Sequence, residues 1–226
     1  MNKSLVTETL LRKFVHATQV AAIAAWHERG KGDAKLADKA AVDAMRAAFN
    51  KINFAGEIVI GEGRKDESYE IPPGERVGTG RGLELDLAVD PLECTTNTAF
   101  QKPNATSVIA VGHRGSLYHC VDAYMEKIAV GPKASKVIDF RAPVVTNLKK
   151  IARALEKKIG DITVAVLERP RHEILIKEIL ATGARIELST DGDVSMAVRT
   201  CLPNSGVDVL MGVGASAEGV LAATAV

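Results

Sequence analysis

Cysteine is scarce: Cys94, Cys120 and Cys201 are three in 226 residues, widely spaced and without a Cys-x-x-Cys pair. An odd, dispersed set argues against a disulfide framework or a structural zinc site. A reducing cytoplasm is the expected home. Charge of one sign is also missing, since the formal net charge is +1. No broad field draws in nucleic acid or a membrane, so an anionic ligand must be held by local groups. No apolar run approaches the roughly 20 residues that span a bilayer. The N-terminal stretch mixes Lys3, Glu8, Arg12 and Lys13 among its apolar residues, unlike a secretory signal. There is no fixed-period repeat, low-complexity tract or long linker. What is present is 46% hydrophobic and 25% charged residues, enough for a sizeable core. The length suits one large domain or two small ones.

The patterning changes along the chain. Residues 5–29 read as a helix with Leu11, Phe14, Val15, Ala22 and Ala25 on one face, Thr18 interrupting it, and Gly30 and Gly32 stopping it. Trp26 and the helical alanines read as packing. A second helix covers about 36–50, and Ile58, Val59 and Ile60 form a short strand. Residues 61–82 read as an ordered loop. Leu85, Leu87 and Val89 then alternate with Asp86, Ala88 and Asp90 at the strand period. Strands follow near 106–112 and 124–130, with an antiparallel turn at Arg114–Gly115. After about Pro143, helices at 143–158, 172–182, 193–201 and 217–226 alternate with strands at 162–168, 185–189 and 207–211. That rhythm marks βαβ units and a parallel sheet. The expected organisation is an α+β first part, 1–140, and an α/β second part, 141–226. The last helix ends on Thr224-Ala225-Val226 without a polar cap, which leads us to expect a truncated second part.

The sharpest chemical signal is Asp90-Pro91-Leu92-Glu93-Cys94-Thr95-Thr96. Pro91 is expected to end strand pairing and turn the chain. The turn brings Glu93 beside Asp90 and the Thr95 hydroxyl close by, a set of oxygens suited to hard divalent cations. The competing reading is a strand end with solvated acids, and spacing alone does not separate the two. Glu62 sits between Gly61 and Gly63, with Asp66 and Glu67 following. Alone, that is a weak motif and reads better as a polar loop. Asp38 lies on an Ala-rich helix and by itself reads as solvent-exposed. Gly214-Ala215-Ser216-Ala217-Glu218 turns into a helix, where Ser216 could cap and Glu218 could simply favour the helix dipole. For anions, Gly78-Thr79-Gly80-Arg81-Gly82 offers backbone amides but lacks the ending of a P-loop. Arg169-Pro170-Arg171-His172 opens a helix after a strand, where two arginines can fork onto phosphate. Asp191-Gly192-Asp193 at the next such junction can accept hydroxyls or cap a helix. Tyr124 reads as structural on its own. The five histidines show no metal-ligand spacing.

Taken in order, eight segments resemble the class II fructose-1,6-bisphosphatases. They are GDAKLADKAAVDAM (32–45), IVIGEG (58–63), VGTGRG (77–82), DLAVDPLE (86–93), YMEKIAVGP (124–132), RPRHE (169–173), DGDV (191–194) and VDVLMGVG (207–214). The Asp-Pro-Leu-Glu turn is similar to that of the wider lithium-sensitive phosphatase superfamily. The resemblance covers essentially the whole chain and implies a layered α/β/α/β/α sugar-phosphatase fold. It implies hydrolysis of the 1-phosphate of fructose 1,6-bisphosphate with Mn²⁺ or Mg²⁺, in gluconeogenesis and glycerol metabolism. Sedoheptulose-1,7-bisphosphatase or bifunctional activity is the alternative enzyme reading. By matching position, metal ligands fall on Asp38, Glu62, Asp90, Glu93 and Glu218, and catalytic roles on Asp66 and Thr95. Substrate contacts fall on Glu93, Thr95, Tyr124, Arg169, Pro170, Arg171, Asp191, Gly192, Asp193 and Ala215. A sugar bisphosphate is the implied partner, without nucleic acid or membrane, and the family is compatible with a homo-oligomer.

The chain departs from the family pattern in places. Cys94 replaces glycine, which costs about 1–2 kcal/mol if the position needs a positive φ. Ala34 replaces a lysine, Lys39 replaces a small residue and could restore part of that charge, and Ala217 replaces proline. The run Glu67–Pro73 also differs, and the family's C-terminal segment is not present. These departures define a third reading, a non-catalytic sugar-phosphate-binding or subunit-interaction protein.

Overall fold

A computed structural model describes residues 7–61, 71–121 and 123–226. The chain forms two compact units, Met1–Val121 and Asp122–Val226, each with its own four-stranded sheet. The division falls earlier than the change of rhythm near residue 140. The reason is that the strand Tyr124–Val130 pairs with Val209–Ala215 in the second sheet.

The first unit begins with α1 (Glu8–Glu28) and α2 (Ala34–Phe49). Thr7 and Asp33 cap them, each side chain accepting a backbone N–H three residues on. The strands are β1 (Ala55–Ile60), β2 (Arg76–Val77), β3 (Glu84–Glu93) and β4 (Thr106–His113), with the short α3 (Thr95–Ala99) after β3. Their order is β2-β1-β3-β4. β1 and β3 run parallel and the other two pairs antiparallel. The alternation in β3 marks the strand, yet burial does not alternate: Leu85 through Val89 are all buried. A strand between two neighbours with helices over it has little exposed face. Asp86, 1% exposed, is satisfied by the N–H groups of Gly115 at 2.7 Å and Leu117 at 3.4 Å. The Arg114 guanidinium lies 3.6 Å from it. The Arg114–Gly115 turn is therefore pinned onto β3; it is not a hairpin joining β4 to the next strand, which belongs to the other sheet.

The buried stripe of α1 is Leu10, Phe14, Ala17, Ala21 and Ala25, rotated from the expected one. Leu11 and Val15 are about half exposed, as is Trp26 at 58%. Both stripes have helical spacing, and close packing of small alanines against α2 selects the one that buries. Trp26 instead lies under the Arg29 guanidinium, 3.5 Å from its ring centroid. Phe14, Phe49 and Phe54 meet edge to face with centroids 5.1–6.2 Å apart. Each such buried ring contributes roughly 1.5–3 kcal/mol.

The second unit contains β5 (Tyr124–Val130), α4 (Val144–Ala154), β6 (Thr163–Leu167), α5 (Glu173–Ala181), β7 (Arg185–Ser189), α6 (Asp193–Arg199), β8 (Val209–Ala215) and α7 (Ser216–Ala225). The order is β5-β8-β6-β7. β6 runs parallel to β7 and β8, while β5 is an antiparallel edge. Val164, Ala165 and Val166 are fully buried, as expected where helices cover both faces. The fold class is α/β, with an α+β first unit and an α/β second unit. Among the described residues no helix is long and apolar enough to cross a membrane.

Candidate active site

In the first unit the chemistry gathers where β3 ends. Pairing does not stop at Pro91. It continues to Glu93 through a bulge, with Asp90 opposite Val108 and Glu93 opposite Thr106. One extra residue on β3 bends the strand there, and Oδ1 of Asp90 accepts the Leu92 N–H at 3.1 Å to hold the bend. Glu93 is 6% exposed, and its Oε2 accepts the Thr106 hydroxyl at 3.1 Å. Cys94 follows in the left-handed region, φ 69° and ψ 49°. The side chain that replaces glycine therefore does sit at a positive φ, with the expected cost of about 1–2 kcal/mol. Reversing the chain at this point starts α3, with half-buried Thr95 as its first residue.

The link between α1 and α2 is tied to the same corner. Gly30 N–H donates to Thr98 O at 3.0 Å and Gly32 N–H to Ala99 O at 2.9 Å. This anchors the first turns of α2, which packs on α3 and carries half-buried Asp38. Lys39 is exposed and pairs with Asp43 on the same helix, so its charge already has a partner there. Glu62 and Asp66 lie outside the described residues. Among the described residues no three His, Cys, Asp or Glu side chains come together as a metal-holding group.

The glycine-rich segment 78–82 does not cradle an anion with its central amides. Thr79 N–H donates to Ile52 O and Gly80 N–H to Phe54 O, each at 3.1 Å. Gly78 and Gly82, at φ 89° and 100°, let this loop lie flat on residues 52–54. A Cβ on Gly78 would strike the Phe54 carbonyl.

In the second unit the polar groups sit after β6 and β7, at the carboxyl ends of parallel strands where open α/β sheets hold ligands. Arg169 donates to the carbonyl of Thr190 and lies 3.5 Å from Asp191 Oδ1. Arg171 takes another direction: its Nε donates to Val213 O at 3.0 Å, and its guanidinium stands 5.0 Å over the Tyr124 ring. In this structure the two arginines are thus held apart. Pro170 between them opens a short 3-10 turn. Gly192, at φ 92°, is the N-terminal boundary of α6, and no aspartate side chain caps it. Asp193 instead points inward to Lys127 at 2.7 Å, both side chains 9% exposed. Gly214 makes room for this pair, since a Cβ there would collide with both charged groups.

Sequence reasoning passed over three of these supports. Lys127 interrupts an apolar strand, and Asp86 interrupts another; both interruptions were available as signals. His172 is 1% exposed. Its Nδ1 lies 2.7 Å from Leu167 O, and its Nε2 accepts the Val213 N–H at 2.8 Å. Those partners require the tautomer protonated on Nδ1. The ring thereby fastens the end of β6 to β8, next to Arg171. No local pattern separates such a histidine from an exposed one.

Ser216 does not cap α7. Ala215 is the boundary residue, and Ser216 Oγ accepts the Ala123 N–H at 3.3 Å. In the first turn of α7, one carboxylate oxygen of Glu218 is buried without a hydrogen-bond partner among the described residues. An ionised carboxylate is not left so without cost. An oxygen-seeking cation is the natural partner for such an oxygen.

The first unit thus carries an acidic, hydroxyl-bearing corner at the end of β3, and the second carries arginines and carboxylates after β6 and β7. The chain belongs to the family described as bacterial fructose-1,6-bisphosphatase, glpX-encoded, whose model matches residues 8–226. It is 45% identical over 214 residues to fructose-1,6-bisphosphatase 1 class 2 of Escherichia coli K12, covering 95% of this chain and 64% of that one. It is 44% identical over 226 residues to fructose-1,6-bisphosphatase class 2 of Haemophilus influenzae, covering 100% and 66%. The chain thus spans just under two thirds of the length of these relatives. An extragenic suppressor from Pyrococcus furiosus aligns over 97% of this chain and 84% of its own at 13% identity, TM-score 0.43, too distant to add to the fold.

Proposed function

We propose that the protein hydrolyses the 1-phosphate of fructose 1,6-bisphosphate, releasing fructose 6-phosphate and phosphate with the help of Mn²⁺ or Mg²⁺. The observation that carries this reading is the corner at the end of β3, where Asp90 and Glu93 flank a bulge and a left-handed Cys94 leads into α3 at Thr95. Asp38, Asp90 and Glu93 in the first unit and Glu218 in the second are the described carboxylates we assign to divalent ions. The buried, unpartnered oxygen of Glu218 fits a divalent ion in the second unit, and the carboxylates of the first unit's corner offer the same kind of oxygen donor there. Bound there, the ion would supply Lewis acidity toward the phosphoryl oxygens. Thr95 would orient the attacking water by its hydroxyl, and Asp66 is proposed for the same task. Arg169 and Arg171 would hold a phosphate by charge-assisted hydrogen bonds once each exchanges its present carbonyl partner for phosphate oxygens. Tyr124, 68% exposed beside the Arg171 guanidinium, would offer its ring to the substrate. Asp191, the more exposed acid of its loop, would accept sugar hydroxyls, while Asp193 holds the loop through Lys127. Gly192, Pro170 and Ala215 would let the sugar approach the backbone. We place the reaction in the cytoplasm.

The test is phosphate release from fructose 1,6-bisphosphate by the purified chain with Mn²⁺, with Mg²⁺ and with EDTA. Metal-dependent release that Asp90→Asn abolishes supports the proposal. No release from a chain shown by circular dichroism to be folded sinks it in favour of a non-catalytic sugar-phosphate-binding protein.

A further inference from the structure

We propose that the groove between α4 and the segment before it is a second anion site, separate from Arg169 and Arg171, that takes a compact molecule bearing two or more phosphate groups. The groove is shallow and open, with a volume of about 420 Å³, and is lined by Lys136, Val137, Ile138, Lys150, Arg153 and Ala154. Its charge is strongly one-sided. Residues 131–158 hold eight lysines and arginines but only two acids, Asp139 and Glu156, in a chain whose net charge is +1.

Lys136, Lys150 and Arg153 are exposed, and among the described residues none of them is in an ion pair. Lys157 in the same run differs, being matched by Asp208 at 2.5 Å. Asp139 is not part of the lining, and its side chain accepts the Arg141 N–H at 2.9 Å. Lys150 and Arg153 are three apart on α4, so like charges share one helix face, an arrangement that disfavours the helix unless an anion lies between them. The floor is firm, because Val137, Ile138 and Ala154 pack on the second unit's core. An arginine fork and two lysine point charges together suit phosphate oxygens. One monoanion would leave most of this charge unmatched, whereas a polyphosphate would not. The lining has no aromatic side chain on which a base could stack, which favours a small polyanion over single-stranded nucleic acid.

The probe is inorganic pyrophosphate, titrated in EDTA at low ionic strength and followed by backbone amide shifts and calorimetry. We expect saturable binding, with shifts concentrated at residues 136–138 and 150–154. Lys150→Glu with Arg153→Glu should weaken binding at least about 10-fold. So should a rise in salt, since exposed charges are screened. Lys35→Glu with Lys51→Glu, the same charge change at exposed positions of the first unit, should leave it unaltered. If the helix variant loses its fold by circular dichroism, Lys136→Gln off the helix should still weaken binding several-fold. Shifts centred on Arg169 and Arg171, equal weakening by the first-unit control, or tight binding of a thymidine oligonucleotide without saturable pyrophosphate binding would each overturn the assignment. The outcome does not depend on turnover, so it is separable from the phosphatase proposal.

Discussion

The two units present their polar residues by different physical means. The first bends a central buried strand. Asp90, Glu93 and Thr95 are set at a corner because a bulge and a left-handed residue interrupt regular pairing, and the supporting bonds run mainly within the corner. The second leaves its strands regular and uses the places where parallel strands give way to helices. Its loops are then fixed from beneath by buried polar groups, Lys127 on Asp193 and His172 between Leu167 and Val213. A site of the first kind stores strain locally. A site of the second kind depends on interactions whose loss unsettles a whole unit.

Substitutions that break this contrast rank as follows. The largest effect is expected in the second unit. Lys127→Met leaves Asp193 buried and unpaired, which should cost about 3–5 kcal/mol in urea denaturation. The double change with Asp193→Leu should recover much of it; a loss below about 1 kcal/mol for the single change would show that the pair holds nothing. In the first unit Asp90→Asn keeps an oxygen for the Leu92 N–H and should leave stability nearly intact, while turnover falls about 100-fold or more. Parallel losses of stability and rate would erase the distinction between the two kinds of site. Arg171→Ala should raise KM about 10-fold with a smaller change in kcat, as expected for uniform binding of a phosphate remote from the reacting one. Steady-state kinetics at saturating metal decide it. A comparable effect is expected at Cys94: the Gly variant should be more stable than the Ala variant by about 1–2 kcal/mol, because only glycine is free of the left-handed penalty. Equal melting of the two would mean that the corner relaxes.

The second unit was the more legible in sequence. The strand expected at 185–189 is β7 to the residue, and the alternation of apolar strands with helices follows directly from burial on both faces of a parallel sheet. The first unit was legible in its elements but not in its details. Two apolar stripes on α1 had equal claim to the core, and only packing against α2 decided that Leu10 is buried and Leu11 is not. Pro91 was expected to end the strand; proline removes one N–H, and a bulge absorbs that loss without ending the ladder. The amides of segment 78–82 looked available because nothing in a glycine-rich run announces a partner such as Ile52 or Phe54, some 26 residues earlier.

By itself, the sequence determined the α/β class, the succession of elements, the candidate corner at Asp90–Thr95 and the family to which the chain belongs, because periodicity and local motifs are short-range properties carried in the residue order. Only the tertiary structure decided where the units divide, which strand β5 joins, that Cys94 is left-handed and that Lys127, Asp86 and His172 support the polar loops. Those are relations between residues far apart in the chain, set by which buried polar group can find a partner once the core has closed.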